Sequence, residues 1–194
     1  KTPDVVAGKE FAGDNGGGGI YNEGGALVVD GTSLIDSNNA VGAAGSGGGI
    51  LTNEGTLVVD GITISNNTSN RAGGGIEAVL AAGTFTFDDL TLSGNTANGG
   101  TAPGNGGGYH ISGAGTTTFT NSTITGNTAV EGGGLWNNAG TMNVVTSTID
   151  ANTATGDDAT NGGGGIFNSG GTLNVDVTPV TNNLANGLAG SGGG

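Results

Sequence analysis

The feature of this sequence that most restricts its fold is a set of seven glycine runs, each three or four residues long. An apolar residue follows each of the first six runs, and these six anchors are spaced by 30, 26, 33, 26 and 31 positions. A repeat of about 20–50 residues is typical of solenoids, propellers and arrays. The runs cover residues 16–19, 47–49, 73–75, 106–108, 132–134, 162–165 and 192–194. The anchors are Ile20, Ile50, Ile76, Tyr109, Leu135 and Ile166.

Without a repeat, the amino-acid composition would indicate a disordered chain. Glycine supplies 46 of the 194 residues, a share that favours low-complexity disorder when it is not periodic. The runs supply a period, and the collagen triplet is absent. We therefore expect a folded repeat protein.

Each repeat also alternates apolar and polar residues. Leu57 and Val59 share one face of a strand, and Gly55 before them lies nine positions before Ile64, a spacing found in five of six repeats. Propeller blades need about 40 residues, and leucine-rich repeats need a helical segment. The predicted fold is all-β, a right-handed parallel β-helix (β-solenoid) with three short strands per coil and about six to seven coils. The right hand follows the general preference of parallel crossovers.

We expect one solenoid domain over residues 1–194, with partial coils at 1–15 and 186–194. Neither end carries an evident polar cap, and uncapped coils expose strand edges. The sequence therefore predicts end-to-end self-association through open coils.

Glycine runs and asparagines mark the predicted corners. Glycine turns sharply at no steric cost, while asparagine tolerates left-handed backbone and forms ladders between stacked coils. We expect a structural ladder from Asn67, Asn95, Asn127, Asn152 and Asn183. Extra residues at 41–46, 98–105, 155–161 and 187–191 fall between this ladder and the next glycine run. They indicate either an interaction side or tolerated loop growth.

The pairing of Gly-Gly-Gly-Ile at 47–50 and 73–76 with Ile-x-x-Asn at 124–127 resembles the GGAI and FxxN repeats of polymorphic outer-membrane proteins. The resemblance covers almost the whole chain, although glycine stands where the family has alanine, and Ile, Leu or Val where it has phenylalanine. It implies an exported bacterial right-handed β-helix, located extracellularly or at the cell surface, with a role in adhesion.

Charge and composition exclude several classes of function. The net charge is −13, and the only basic residues are Lys1, Lys9 and Arg71, so nucleic acid is excluded as a partner. No stretch of about 18 apolar residues exists, so no membrane-spanning helix is expected. There is no cysteine to form a disulfide or a thiolate metal site.

The sequence gives little support for an enzymatic function. β-Helical lyases and hydrolases need a placed base or paired carboxylates, and the acidic residues here occupy different positions of the repeat. We predict no enzyme and no cofactor. The Asp157-Asp158 loop leaves calcium open as a ligand, without the calcium-binding G-G-x-G-x-D repeat.

Two lengthwise stripes are candidate interaction surfaces. The residues after the anchors should point outward, where aromatics either stack on sugars or stabilise the sheet. This stripe contains Tyr21, Leu51, Glu77, His110, Trp136 and Phe167. A threonine array on the third strand resembles the T-x-T face of ice-binding solenoids, or else reflects the β-preference of threonine. The array contains Thr63, Ser65, Thr91, Ser93, Thr123, Thr125 and Thr148.

The sequence thus predicts a structural or adhesive extracellular β-solenoid, a stalk or self-associating filament. Ice or glycan binding is the alternative, and a polysaccharide lyase or hydrolase is less favoured.

Overall fold

The computed structural model describes residues 10–11, 14–99, 103–189 and 192–193. It confirms an all-β parallel solenoid of about five turns. Four sheets run along it, each of six parallel strands, and we number them sheets 1–4 in the order in which a coil visits them. The four strands that share a coil form one rung. A separate antiparallel pair, β1 (Glu10–Phe11) and β2 (Asp14–Asn15), precedes the first rung.

The strands of rungs 1–3 follow in chain order. Rung 1 contains β3 (Ile20–Glu23), β4 (Ala26–Val29), β5 (Leu34–Asp36) and β6 (Asn39–Ala40). Rung 2 contains β7 (Ile50–Asn53), β8 (Thr56–Asp60), β9 (Thr63–Ser65) and β10 (Thr68–Ser69). Rung 3 contains β11 (Ile76–Val79), β12 (Thr84–Asp88), β13 (Thr91–Ser93) and β14 (Thr96–Ala97).

Rungs 4–6 repeat the same order. Rung 4 contains β15 (Tyr109–Ser112), β16 (Thr116–Thr120), β17 (Thr123–Thr125) and β18 (Thr128–Ala129). Rung 5 contains β19 (Leu135–Asn137), β20 (Thr141–Val145), β21 (Thr148–Asp150) and β22 (Thr153–Ala154). Rung 6 contains β23 (Ile166–Asn168), β24 (Thr172–Asp176), β25 (Val180–Thr181) and β26 (Leu184–Ala185).

The prediction of three strands per coil is wrong, because each of the six rungs in the described ranges has four. The missed strand follows the ladder asparagine and has only two residues, as in Thr96–Ala97. Its first residue points partly outward and its second is buried. Two residues are too few for the alternation to be recognised in the sequence.

The corners differ in detail from the prediction. The left-handed residue is the one before each ladder asparagine, for example Asn66 at φ 52° and Ala151 at φ 54°. In the glycine run, Gly73 has φ 58°. Gly74 has a different constraint, because a Cβ there would lie 2.4 Å from the carbonyl oxygen of Gly107 and 2.5 Å from the amide nitrogen of Thr96. The runs therefore combine one left-handed turn with backbone packed directly on backbone.

The core lies between the sheets and includes a cluster of aromatic residues. The rings of Phe87 and Phe119 are 4.8 Å apart, and Tyr109 meets both edge-on. Burial raises the pKa of Tyr109, whose hydroxyl is hydrogen-bonded to Thr117. Because this hydrogen bond satisfies the hydroxyl of Thr117, a threonine can occupy an inward-facing position of β16.

The two predicted partial coils are only partly described. Of residues 1–15, the described ones are those of β1 and β2. Near the other end, the amide nitrogens of Gly164 and Gly165 donate to the carbonyl oxygens of Gly192 and Gly193. The described ranges contain no helix long and apolar enough to cross a membrane.

Candidate functional site

The stripe that follows the anchors lies in sheet 1, and its residues pair in register from rung to rung. The prediction that it is exposed is wrong. Trp136 is 7% exposed, Tyr21, Leu51 and His110 are also buried, and only Phe167 is half-buried. The side chains of Tyr21, Leu51, His110 and Trp136 point away from the core, but their burial leaves no open face for a sugar to stack on.

A layer of chain outside sheet 1 covers the stripe. The residues directly before four glycine runs form a further parallel ladder, in spite of the different loop lengths between rungs. This covering ladder consists of Ser46, Ala72, Asn105 and Glu131. Glu131 accepts a hydrogen bond from the indole Nε1 of Trp136 at 3.3 Å. The chain thus returns over the outer face of sheet 1 before each of rungs 2 to 5 begins.

An ion cluster lies beneath this layer. The carboxylate of Glu77 is fully buried, with Oε1 2.9 Å from Arg71 Nη2 and Oε2 2.8 Å from His110 Nδ1. The His110 contact is an ion pair when the imidazole is protonated. Ser112 Oγ donates to Oε1 at 3.2 Å, and Arg71 Nε donates to Ser46 Oγ at 2.7 Å.

The electrostatics of Glu77 follow from this geometry. Burial alone would raise its pKa, but the charges of His110 and Arg71 and the hydrogen bonds hold the pKa below its usual value. A buried carboxylate is costly unless it is paired, and here it is paired on both oxygens. The sequence interpretation missed the partner of Arg71. The available signal was that Glu77 and His110 occupy the same position in consecutive repeats.

The cluster does not have the layout of a catalytic triad. In a triad the acid and the nucleophile contact opposite nitrogens of the histidine. Here Ser112 Oγ lies 3.4 Å from His110 Nδ1, the same nitrogen that faces Glu77. The arrangement is suited to fastening the covering layer onto sheet 1.

Aromatic rings continue the stripe beyond the ion cluster. The ring centroids of His110 and Trp136 are 4.3 Å apart and stacked, and those of Trp136 and Phe167 are 6.0 Å apart and nearly parallel. Such stacks stabilise neighbouring strands. Phe167 is half-buried, whereas His110 and Trp136 in the same stack are buried.

The ladder asparagines form one continuous hydrogen-bonded column through all six rungs. Each Oδ1 accepts both the backbone N–H and the Nδ2–H of the asparagine in the preceding rung, at 2.9–3.0 Å. From Asn67 onward, the second Nδ2 hydrogen goes to a backbone carbonyl of the rung before. The column starts at Asn38 and continues through Asn67, Asn95, Asn127, Asn152 and Asn183. Four of its members, Asn67 to Asn152, are fully buried.

The predicted threonine array lies on the outer side of sheet 3, in two in-register ladders. Carboxylates interrupt it. Asp36 accepts hydrogen bonds from Ser65, Ser37 and Asn66, which lower its pKa, and Ser65 is buried. Asp150 lies between Thr125 and Thr181 in the same ladder, and hydrogen bonds from Thr181 and Asn182 lower its pKa. The members of the array are Thr63, Ser65, Thr91, Ser93, Thr123, Thr125 and Thr148.

A second threonine surface, which the sequence interpretation missed, lies on sheet 2. The outward residues of β12 and β16 are all threonine except Asp88. The signal was present in the sequence, because every inward residue of these strands has an outward neighbour one position away.

No group of three or more histidine, cysteine, aspartate or glutamate side chains suited to a metal occurs within the described ranges. Comparison with protein-family models, with curated proteins and with solved structures finds no match. Functional inference therefore rests on the surfaces described above.

Proposed function

We propose that this chain is a structural solenoid that associates end to end, as a stalk or filament segment of an extracellular or cell-surface bacterial protein. The observation that carries the proposal is the outer edge of rung 6. Strands β23 to β26 each pair on one side only within the described part of the chain. A row of unpaired N–H and C=O groups is a template for another strand.

Apolar core positions reach the surface at the same edge. Val175 is 42% exposed, although its ladder neighbour Val144 is completely buried. Leu173 of the same strand is half-buried, although its ladder neighbour Met142 is completely buried. A further rung on this edge would bury both side chains and remove apolar surface from water.

The asparagine column favours a second copy as the occupant. Its direction is fixed, because each asparagine donates to the Oδ1 of the next rung. Asn183 therefore ends the column with donors, and Asn38, which is half-buried, begins it with an acceptor oxygen. The last rung of one copy and the first rung of another are complementary in hydrogen bonding.

The finer features of the fold belong to this proposal. We take the solenoid to be right-handed, in line with parallel crossovers in general, and to comprise six to seven coils. The stacking of Gly192 and Gly193 on the preceding glycine run supports the start of a seventh coil. The resemblance to polymorphic outer-membrane repeats supports the location and the adhesive role.

A matched pair of variants tests the association. Val175→Lys places a charge on the inward face of rung 6, whereas Val58→Lys makes the same change at a similarly exposed valine, 40%, on the outer face of rung 2. In sedimentation velocity we expect concentration-dependent association of the unmodified chain and of Val58→Lys, and monomers for Val175→Lys. A monomeric unmodified chain at high concentration, or equal behaviour of the two variants, would refute end-to-end association.

A further inference from the structure

The outer face of sheet 2 carries two uncharged ladders along the solenoid. One ladder pairs Thr84, Thr116, Thr141 and Thr172 in register. The adjacent ladder, two residues further along each strand, pairs Val58, Thr86, Thr118, Asn143 and Asn174. We call these two ladders the sheet 2 threonine face.

The face is ordered by its own amides. Asn174 Nδ2 donates to Asn143 Oδ1 at 2.9 Å, and Asn143 Nδ2 donates to Thr118 Oγ1 at 3.2 Å. Five threonine hydroxyls of the face make no hydrogen bond to the part of the chain that the structure describes. They belong to Thr84, Thr116, Thr141 and Thr172 of the first ladder and to Thr86 of the second. A threonine hydroxyl has one donor and two acceptor sites, and these remain open to a ligand or to water.

The geometry of the face is a two-dimensional lattice. Strands of one sheet lie about 4.8 Å apart, and alternate residues on a strand are about 6.6 Å apart. Six of the nine points are threonines, each of which presents a hydroxyl beside a methyl group, and the other three are Val58, Asn143 and Asn174. A surface that repeats in two directions matches a partner that also repeats in two directions.

The charge and the aromatic content of the face restrict which partners it could bind. The two ladders contain no ionisable side chain, in a chain of net charge −13, and carboxylates such as Asp60 and Asp88 lie only along their border. This neutrality disfavours an ionic partner. No aromatic ring stands on the face, and sugars are recognised largely by stacking on aromatic rings.

We propose that the sheet 2 threonine face binds ice, its hydroxyls and methyl groups holding water in a repeating array. The face is on the side wall of the solenoid, so this activity belongs to the monomer and does not depend on end-to-end association. It also differs from the array predicted on sheet 3, which Asp36 and Asp150 interrupt.

Two variants in the same rung separate the two faces. Thr118→Tyr places a bulky ring in the middle of the sheet 2 threonine face, and Thr123→Tyr places the same ring on the outer side of sheet 3. The measurements are thermal hysteresis and inhibition of ice recrystallisation, with circular dichroism to verify the fold. We expect activity in the unmodified chain and in Thr123→Tyr, and its loss in Thr118→Tyr.

Three results would overturn the proposal. The first is an unmodified chain that neither shapes nor retards ice. The second is loss of activity in Thr123→Tyr with retention in Thr118→Tyr, which would assign the activity to sheet 3. The third is binding to cellulose or chitin particles that Thr118→Tyr abolishes, in the absence of ice activity. If Thr118→Tyr does not fold, Thr84→Tyr at an exposed position of the same face takes its place.

Discussion

Removing one asparagine from the middle of the column tests the strongest structural element of the solenoid. Asn127→Ala deprives three buried groups of their partners: the carbonyl of Leu92, and the backbone N–H and side-chain amide of Asn95. Each unsatisfied buried group costs about 1–3 kcal/mol. We expect a loss of about 3–6 kcal/mol in the free energy of unfolding, since neighbouring costs are not strictly additive.

Urea unfolding followed by circular dichroism measures this loss. With a slope of about 2 kcal/mol per molar urea, the midpoint should fall by about 1.5–3 M. Asn174→Ala is the matched control, because Asn174 is exposed and its amide makes one ladder bond, so its cost should stay within about 0.5 kcal/mol.

A second substitution separates hydrogen bonding from packing. Asn127→Asp keeps the shape of the side chain but removes the donors to Leu92 and Asn152 and brings a carboxylate against their oxygens. It should destabilise at least as much as alanine. If Asn127→Asp were nearly neutral, or if Asn127→Ala cost no more than Asn174→Ala, the column would not be the stabilising element that its geometry indicates.

Three further predictions address the glycine runs, the ion cluster and the aromatic stripe. Gly74→Ala should unfold the chain or lower the free energy of unfolding by more than about 4 kcal/mol, because the new Cβ would clash with backbone on two sides. Gly126 is left-handed but has space around it, so Gly126→Ala should lower the free energy of unfolding by only about 1–2 kcal/mol in the same urea assay. The folded-state pKa of Glu77 is lowered, so its stabilisation is present above the ordinary glutamate pKa and is lost as the pH falls through the folded value. Glu77→Gln should therefore flatten the decline of the urea midpoint as the pH falls below the ordinary glutamate pKa, and an unchanged decline would contradict the ion cluster. Trp136→Ala should lower stability by about 3–5 kcal/mol because the ring is buried, and a glycan array in which it abolishes binding to a stably folded protein would contradict that burial.

The stacking of the coils could be predicted from the sequence because the same residue spacing recurs in successive repeats. Constant spacing from Gly55 to Ile64 and on to Asn67 recurs in the later coils, and stacked coils place equal positions above one another. The asparagine column needed no further information. Its left-handed neighbour was misplaced by one residue, since the sequence position alone does not distinguish Asn66 from Asn67.

Burial of the stripe could not be predicted from alternation. A period of two shows which side chains point away from the core, as His110 and Trp136 do, but not whether another segment passes over them. The covering layer comes from loops of unequal length, and only the folded chain shows that Ser46, Ala72 and Asn105 stack. The strands of sheet 4 were missed because two residues are too few to show a period of two.

Electron microscopy of the unmodified chain at high concentration tests the central functional claim most directly. End-to-end association predicts rods of uniform width whose lengths are whole multiples of one solenoid. Particles of a single length equal to one chain, at every concentration, would contradict it.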